Sequence, residues 1–153
     1  MNSSHKGNCF EVLLTDDPIS IKTEEITNKK ELLKGKIEVF RNPQDYGRET
    51  LPSVVYYKKD KVIVGNQAKT FLERGDPSQV FGRFKRLLGT NETKRVKILN
   101  VSKTPVELSA EVLKELKGFV HSGEQVDAAV ITIPASFNIP QTNATSEAGY
   151  LAG

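Results

Sequence analysis

The stretch VDAAVITIPASFN, Val126 to Asn138, decides the reading of the fold. Val126 to Ile133 is almost wholly apolar and does not alternate, which suits a strand covered on both faces in a layered α/β sheet. Pro134 then ends it. Proline fixes its own φ, donates no N–H and restricts Ile133 before it, so the strand has a stiff exit. Beyond the turn, Ile139 to Leu151 predicts a helix with Ala144, Ala148 and Ala152 on one stripe beside Gly149, small enough to approach a sheet closely.

Working backwards, TPVELSAEVLKELKGFVHSG carries a full set of helix signals. Thr104, Pro105 and Glu107 fit the N-cap, the first-turn proline and the capping box. Val112, Leu113, Leu116, Phe119 and Val120 form the apolar stripe, and Gly123 is expected to close the helix. KRVKILNV (Lys94–Val101) predicts a strand. DPSQVFGRFKRLLG predicts a helix, with Val80, Phe81, Phe84, Leu87 and Leu88 at helical spacing and Gly89 at its end. NQAKTFLERG predicts a helix capped by Asn66 and stopped by Gly75. TLPSVVYY (Thr50–Tyr57) and KVIVG (Lys61–Gly65) read as strands of a hairpin about a Lys-Lys-Asp turn, and KIEVF (Lys36–Phe40) as an earlier strand. Residues 1–35 form an atypical, highly charged segment, with a short surface helix at best over Thr27–Lys36. No Gly-x-Gly occurs anywhere. Strands first, then helix–strand–helix, give an α/β protein with a mixed sheet flanked by helices.

Composition narrows the function classes. The chain has 153 residues, 37% hydrophobic and 27% charged, a balance that supports one globular domain or a large piece of one. No apolar run approaches the ~18 residues of a membrane helix. The N-terminal MNSSHKGNCFEVLLTDDP lacks a basic region followed by a long apolar core, so no secretory signal is read and no membrane partner is expected. A lone cysteine, Cys9, forms no internal disulfide and points to a reducing, cytoplasmic setting. The sequons at Asn2, Asn91, Asn100 and Asn143 are then chance matches. His5 and His121 with one distant cysteine make no metal site. The net charge of +3 comes from cations spread among acids. The short basic-aromatic stretches YYKKDK and FGRFKRLLG do not amount to a nucleic-acid face, and no nucleic-acid partner is expected.

Several segments fall into a familiar order. GRETLPSVVYY, VIVGNQAK, DPSQVFGRFKRLLG, VELSAEVLKELK and VDAAVITIPASFNIPQTNATSEAGYLAG resemble the front part of the ATPase domain of the heat shock protein 70 chaperones, over residues 36–153. The resemblance implies the first lobe of an actin-like (ribonuclease H-like) ATPase domain. It also implies a parent that binds and hydrolyses ATP, with ATP or ADP and Mg2+ as cofactors and unfolded client peptides and co-chaperones as partners. Lys85 matches the family lysine that reaches the nucleotide phosphates and assists hydrolysis, and a lysine suits phosphate as a mobile point charge. Arg86 matches the neighbouring nucleotide-cleft arginine. Pro134 matches the proline on the route by which nucleotide state reaches the peptide-binding domain. From periodicity alone, Arg83, Lys85 and Arg86 read as the solvated face of an amphipathic helix, and Pro134 as a strand terminator.

Three departures shape the expected activity. The family opens on a strand and an Asp-Leu-Gly-Thr-Thr type turn that holds metal and phosphate; here the corresponding stretch is DDPISIKTEEITNKKELLK, with no aspartate before Gly-Thr. The chain stops at Gly153, ahead of the family's second phosphate loop, adenosine segment and peptide-binding domain, and so reads as a fragment, inactive and nucleotide-free by itself. Thr142 stands where the family commonly carries an arginine of the interdomain relay. With the first hairpin missing, KIEVF lacks its sheet partner, and self-association through exposed strand edges is expected. A second reading is a non-enzymatic interaction module derived from the same fold. A third, another actin-like ATPase, is opposed by the Thr-Leu-Pro-Ser and Ile-Pro-Ala-Ser-Phe segments.

Overall fold

A computed structural model of the chain describes residues 9–13, 19–24, 38–39, 41–45, 50–74, 78–120 and 128–153. Its elements run β1 (Cys9–Leu13), β2 (Ile19–Glu24), β3 (Glu38–Val39), β4 (Thr50–Leu51), β5 (Val54–Tyr57), β6 (Val62–Val64), α1 (Asn66–Glu73), β7 (Val80–Gly82), a 3-10 turn (Phe84–Leu87), β8 (Lys94–Val96), a second 3-10 turn (Lys97–Leu99), β9 (Val101–Lys103), α2 (Pro105–Lys117), β10 (Ala128–Thr132) and α3 (Ile139–Ala152).

The first sheet has the order β10-β1-β2-β3, with β4 also pairing β2. β1 runs parallel to β10, Cys9 opposite Ala128, while β1–β2, β2–β3 and β2–β4 are antiparallel. The sheet is therefore mixed, as expected. One expectation is corrected: the first hairpin is not missing. β1 and β2 supply it, and Glu38 and Val39 of KIEVF pair with Thr23 and Lys22. CFEVL and ISIKTE alternate weakly among charges, which hid two strands that pair with each other as a hairpin, β10 joining β1 from far along the chain. The helix expected over Thr27–Lys36 lies outside the described residues.

The expected hairpin forms as β5–β6, and β7 adds on the other side of β5. β5 is covered on both faces. Val55 and Tyr57 join the main core, while Val54 and Tyr56 pack with Ala68 and Phe71 beneath α1. The strand read over Thr50–Tyr57 is split at Pro52-Ser53, so that β4 serves the first sheet and β5 the second. Asn66 does not cap α1, contrary to expectation. The cap residue is Gly65 at φ 86°, where a Cβ would run into Leu51, and Asn66 instead donates to Asp45 (2.8 Å) and accepts from Asn42 (3.1 Å). Asn42, 2% exposed, also donates to the Thr50 carbonyl (2.9 Å), and Gln44 donates to Glu115 of α2 (2.7 Å). One polar cluster thus ties the loop at 41–45 to both helices. Gly75 lies outside the described residues.

Two further expectations change. DPSQVFGRFKRLLG is not a helix: Val80–Gly82 is captured by β5 as a strand, Arg83 turns left-handed at φ 59°, and Phe84–Leu87 makes only a 3-10 turn. Its apolar residues are still inside, Val80, Phe81, Phe84 and Leu88 all being buried. KRVKILNV is not one strand but a ribbon, β8 and β9 folded about Lys97–Leu99 with Asn100 left-handed at φ 55°.

Helix α2 starts as read. The Thr104 side chain accepts from the Glu107 N–H (3.1 Å), and Glu107 accepts from the Thr104 N–H (2.8 Å). It ends at Lys117 with Gly118 as cap, earlier than Gly123. Leu108, Val112 and Leu116 form the centre of the main core, facing Leu51, Phe84 and Ala148. In α3, Ala144 and Ala148 are buried as expected. β10 departs from expectation: Ala128, Ala129 and Val130 are exposed, Val130 to 51%, and only Ile131 and Ile133 pack on the core. Among the described residues β10 pairs with β1 alone, so it is the edge of its sheet.

Burial alone would raise the Glu107 carboxyl, but hydrogen bonds from Lys103 and Thr104 and the Lys103 charge outweigh it and hold the group below the ordinary carboxylate value. A depressed folded-state value contributes stability above the unfolded value near ~4.3 and loses it as pH falls through the folded one. Urea denaturation should show Thr104→Ala costing about 1 kcal/mol at neutral pH. Glu107→Gln should lose stability less steeply than the parent below pH ~4.

Candidate functional site

The sequence-derived residues fall on two loops that meet. Lys85 and Arg86 occupy the 3-10 turn after β7, whose backbone is held by Arg86 N–H to Arg83 carbonyl and Leu88 N–H to Lys85 carbonyl, both 3.3 Å. Phe84 and Leu88, 1% and 2% exposed, anchor the turn on either side of the two cations. Burying such side chains contributes about 2–3 kcal/mol each, so the turn is fixed by its apolar neighbours rather than by regular hydrogen bonding. Lys85 is half-buried and Arg86 exposed.

Lys85 contributes to the wall of a small recess shared with Ser53, Ser109 and Thr145 and with apolar Phe84, Leu88 and Val112. Ser109 donates to the Pro105 carbonyl and Thr145 to the Gln141 carbonyl, each at 2.8 Å, so both hydroxyl protons are spent within their own helices. The Ser53 hydroxyl is buried and finds no hydrogen-bond partner among the described residues. These three hydroxyls were not flagged by the sequence. Ser109 and Thr145 lie on helix faces that read as apolar stripe, and only the interruption of those stripes by a polar residue could have signalled them.

Pro134 follows β10, half-buried, and its carbonyl accepts from the Phe137 N–H at 3.0 Å, closing a turn. Asn138 then caps α3: its side chain accepts from the Gln141 N–H, and Gln141 returns a bond to the Asn138 N–H, both 3.0 Å. Thr142 donates to the Asn138 carbonyl at 3.0 Å. Its hydroxyl is turned onto its own helix, so nothing of an arginine's reach is reproduced there.

The two loops join at Gly89, just past the Lys85 turn. Gly89 has φ 77°, and a Cβ on it would lie 2.8 Å from the Pro140 carbonyl carbon and from the Gln141 backbone nitrogen. The end of the lysine turn thus abuts the first turn of the helix that follows Pro134, and further along the same helix supplies Thr145 and Ala148 to the recess. The Lys85 turn and the Pro134 turn thus both adjoin one element, α3. Gly89→Ala should destabilise the chain by about 2 kcal/mol in chemical denaturation, because the left-handed backbone and the close approach act together.

Comparison with known proteins identifies the family. The family model described as Hsp70 protein matches residues 32–153. The chain is 41% identical over 130 residues to the chaperone protein DnaK of Ureaplasma urealyticum serovar 10, covering 84% of this chain and 20% of that protein. It is 43% identical over 117 residues to DnaK of Mycoplasma mobile, covering 75% and 18%. The chain spans about a fifth of the length of the curated relatives it matches. Among the described residues no helix is long and apolar enough to cross a membrane. The matched residues include both loops and the helix that joins them, and the chain belongs to the Hsp70 family.

Proposed function

We propose that this chain forms the nucleotide-facing part of the first lobe of an actin-like ATPase domain, in a chaperone that couples ATP binding and hydrolysis to the capture of unfolded peptides. The observation that carries the reading is the Lys85 turn. A cation is held by two buried neighbours on a wall that abuts α3, so a change at a phosphate would press on a rigid helix rather than a loop. In this reading Lys85 contacts the phosphates and stabilises charge developing on the transferred group, Arg86 adds a second cation to the same cleft, and Pro134 stiffens the path outward.

The residues present fit a polyphosphate in sign, with two adjacent cations on one turn. They do not supply a cage for Mg2+, since no cluster of three metal-ligating side chains occurs among the described residues. Such an ion is commonly held by one or two carboxylates together with the phosphates themselves. The turn between β1 and β2, where the family keeps its first phosphate loop, lies outside the described residues. No aspartate precedes a Gly-Thr in the sequence, and on that ground the chain by itself is proposed to be catalytically silent.

Self-association, expected at KIEVF, is proposed instead for the outer edge of β10, where Val130 is exposed and β1 is the one described partner. Sedimentation velocity should show a concentration-dependent dimer, and a single monomeric species at high concentration overturns it. Titration calorimetry with Mg-ATP tests the nucleotide reading: no saturable heat is expected below millimolar nucleotide for the parent chain or Lys85→Ala. Saturable binding lost in Lys85→Ala would mean that the site assembles within this chain, and binding unaffected by the substitution would remove Lys85 from it.

A further inference from the structure

The ribbon β8–β9 takes no part in the site above, and its surface chemistry is distinct. Residues 94–103 read KRVKILNVSK, with Lys94, Arg95, Lys97 and Lys103 and no carboxylate. Val96, fully buried in the main core, fastens the ribbon at its base. At its tip Ile98, Leu99 and Val101 are exposed to 44%, 36% and 39%. Burial of one valine therefore fixes a turn that presents three apolar side chains outward.

The tip is pre-formed. Arg95 donates to the Asn100 side chain across the turn, and Asn100 takes the left-handed backbone that closes it. The two cations at the base have carboxylate partners, Lys94 with Glu92 at 3.8 Å and Lys103 with Glu107 at 2.8 Å. Those nearer the tip do not: Arg95 is held by a neutral amide, and among the described residues no carboxylate forms an ion pair with Arg95 or Lys97. Positive charge is thus left uncompensated beside exposed apolar surface.

The backbone decides what kind of partner fits. Among the described residues β8 and β9 pair only with each other, so both outer edges of the ribbon carry open N–H and C=O groups. A lipid interior offers such groups nothing to bond with, whereas an extended peptide satisfies them by adding a strand. We propose that the β8–β9 ribbon is a docking site for an acidic, apolar segment of a partner protein, bound in extended form along the ribbon. Its carboxylates meet Arg95 and Lys97 and its apolar side chains cover Ile98 and Leu99. Charge complementarity sets which segment binds, and strand addition gives the bond network.

The test is fluorescence anisotropy on the whole chain with a fluorescein-labelled peptide alternating Glu with Leu and Val, against the same peptide with Lys in place of every Glu. The acidic peptide should bind saturably and the lysine peptide should not. Arg95→Glu/Lys97→Glu should weaken acidic-peptide binding at least about tenfold and permit binding of the lysine peptide, and Ile98→Ser/Leu99→Ser should weaken it without that reversal. These side chains are exposed, so circular dichroism and the melting temperature should stay close to the parent's. Equal binding of the two peptides overturns the proposal, as does undiminished binding by the charge-reversed variant. Binding of phosphatidylserine vesicles without binding of the acidic peptide would assign the ribbon to membranes and also overturn it.

Discussion

The structure depends on the apolar stripe of α2. Leu108, Val112 and Leu116 are the surface against which the hairpin sheet, the Lys85 turn and α3 all pack. Among the described residues no strand pairing joins one of those three elements to another. Their relative positions are set by side-chain packing on α2 together with the close approach of Gly89 to α3, and packing tolerates little volume change before neighbours shift. The start of that helix is fixed by reciprocal hydrogen bonds at Thr104 and Glu107, which define its first turn from local contacts. A change of phase in α2 would move the Lys85 turn and α3 together.

How much of this was legible in the sequence depended on how local the determining forces were. The beginning of α2 could be read because a capping box is a four-residue device whose physics is complete within itself. The β5–β6 hairpin and the α3 stripe could be read for similar reasons: alternation, turn formers and small residues at helical steps act over short distances. DPSQVFGRFKRLLG was misread because its apolar spacing fits a helix while its true environment is the free edge of β5, which captures Val80–Gly82. Tertiary pairing outweighed local propensity there. CFEVL and ISIKTE were passed over because charged and polar residues interrupt their apolar pattern, although they pair with each other as a short-range hairpin.

The candidate site was legible to an uneven degree. Lys85, Arg86 and Pro134 stood out only through an ordered set of motifs; their own residue types and spacing favoured plainer readings. Their connection could not be read at all. It rests on Gly89 lying against Pro140 and Gln141, a contact across some fifty positions that no periodicity encodes. The hydroxyls of Ser53, Ser109 and Thr145 were hidden for different reasons: Ser109 and Thr145 look like tolerated interruptions of apolar helix faces, and Ser53 sits in the break between β4 and β5.

The parallel pairing of β1 with β10 has a consequence for how the chain folds. Cys9 and Ala128 are neighbours in space but more than a hundred positions apart, and closing so long a loop costs entropy before any contact is gained. The hairpin sheet, α1 and the β8–β9 ribbon are built from pairings over short spans and can form early. During synthesis β1 leaves the ribosome before β10 and waits for more than a hundred further residues before its parallel partner exists. Until then one edge of the β1–β2 hairpin stays open, and the interval is one in which a second chain, or a chaperone, competes for the place that β10 will take.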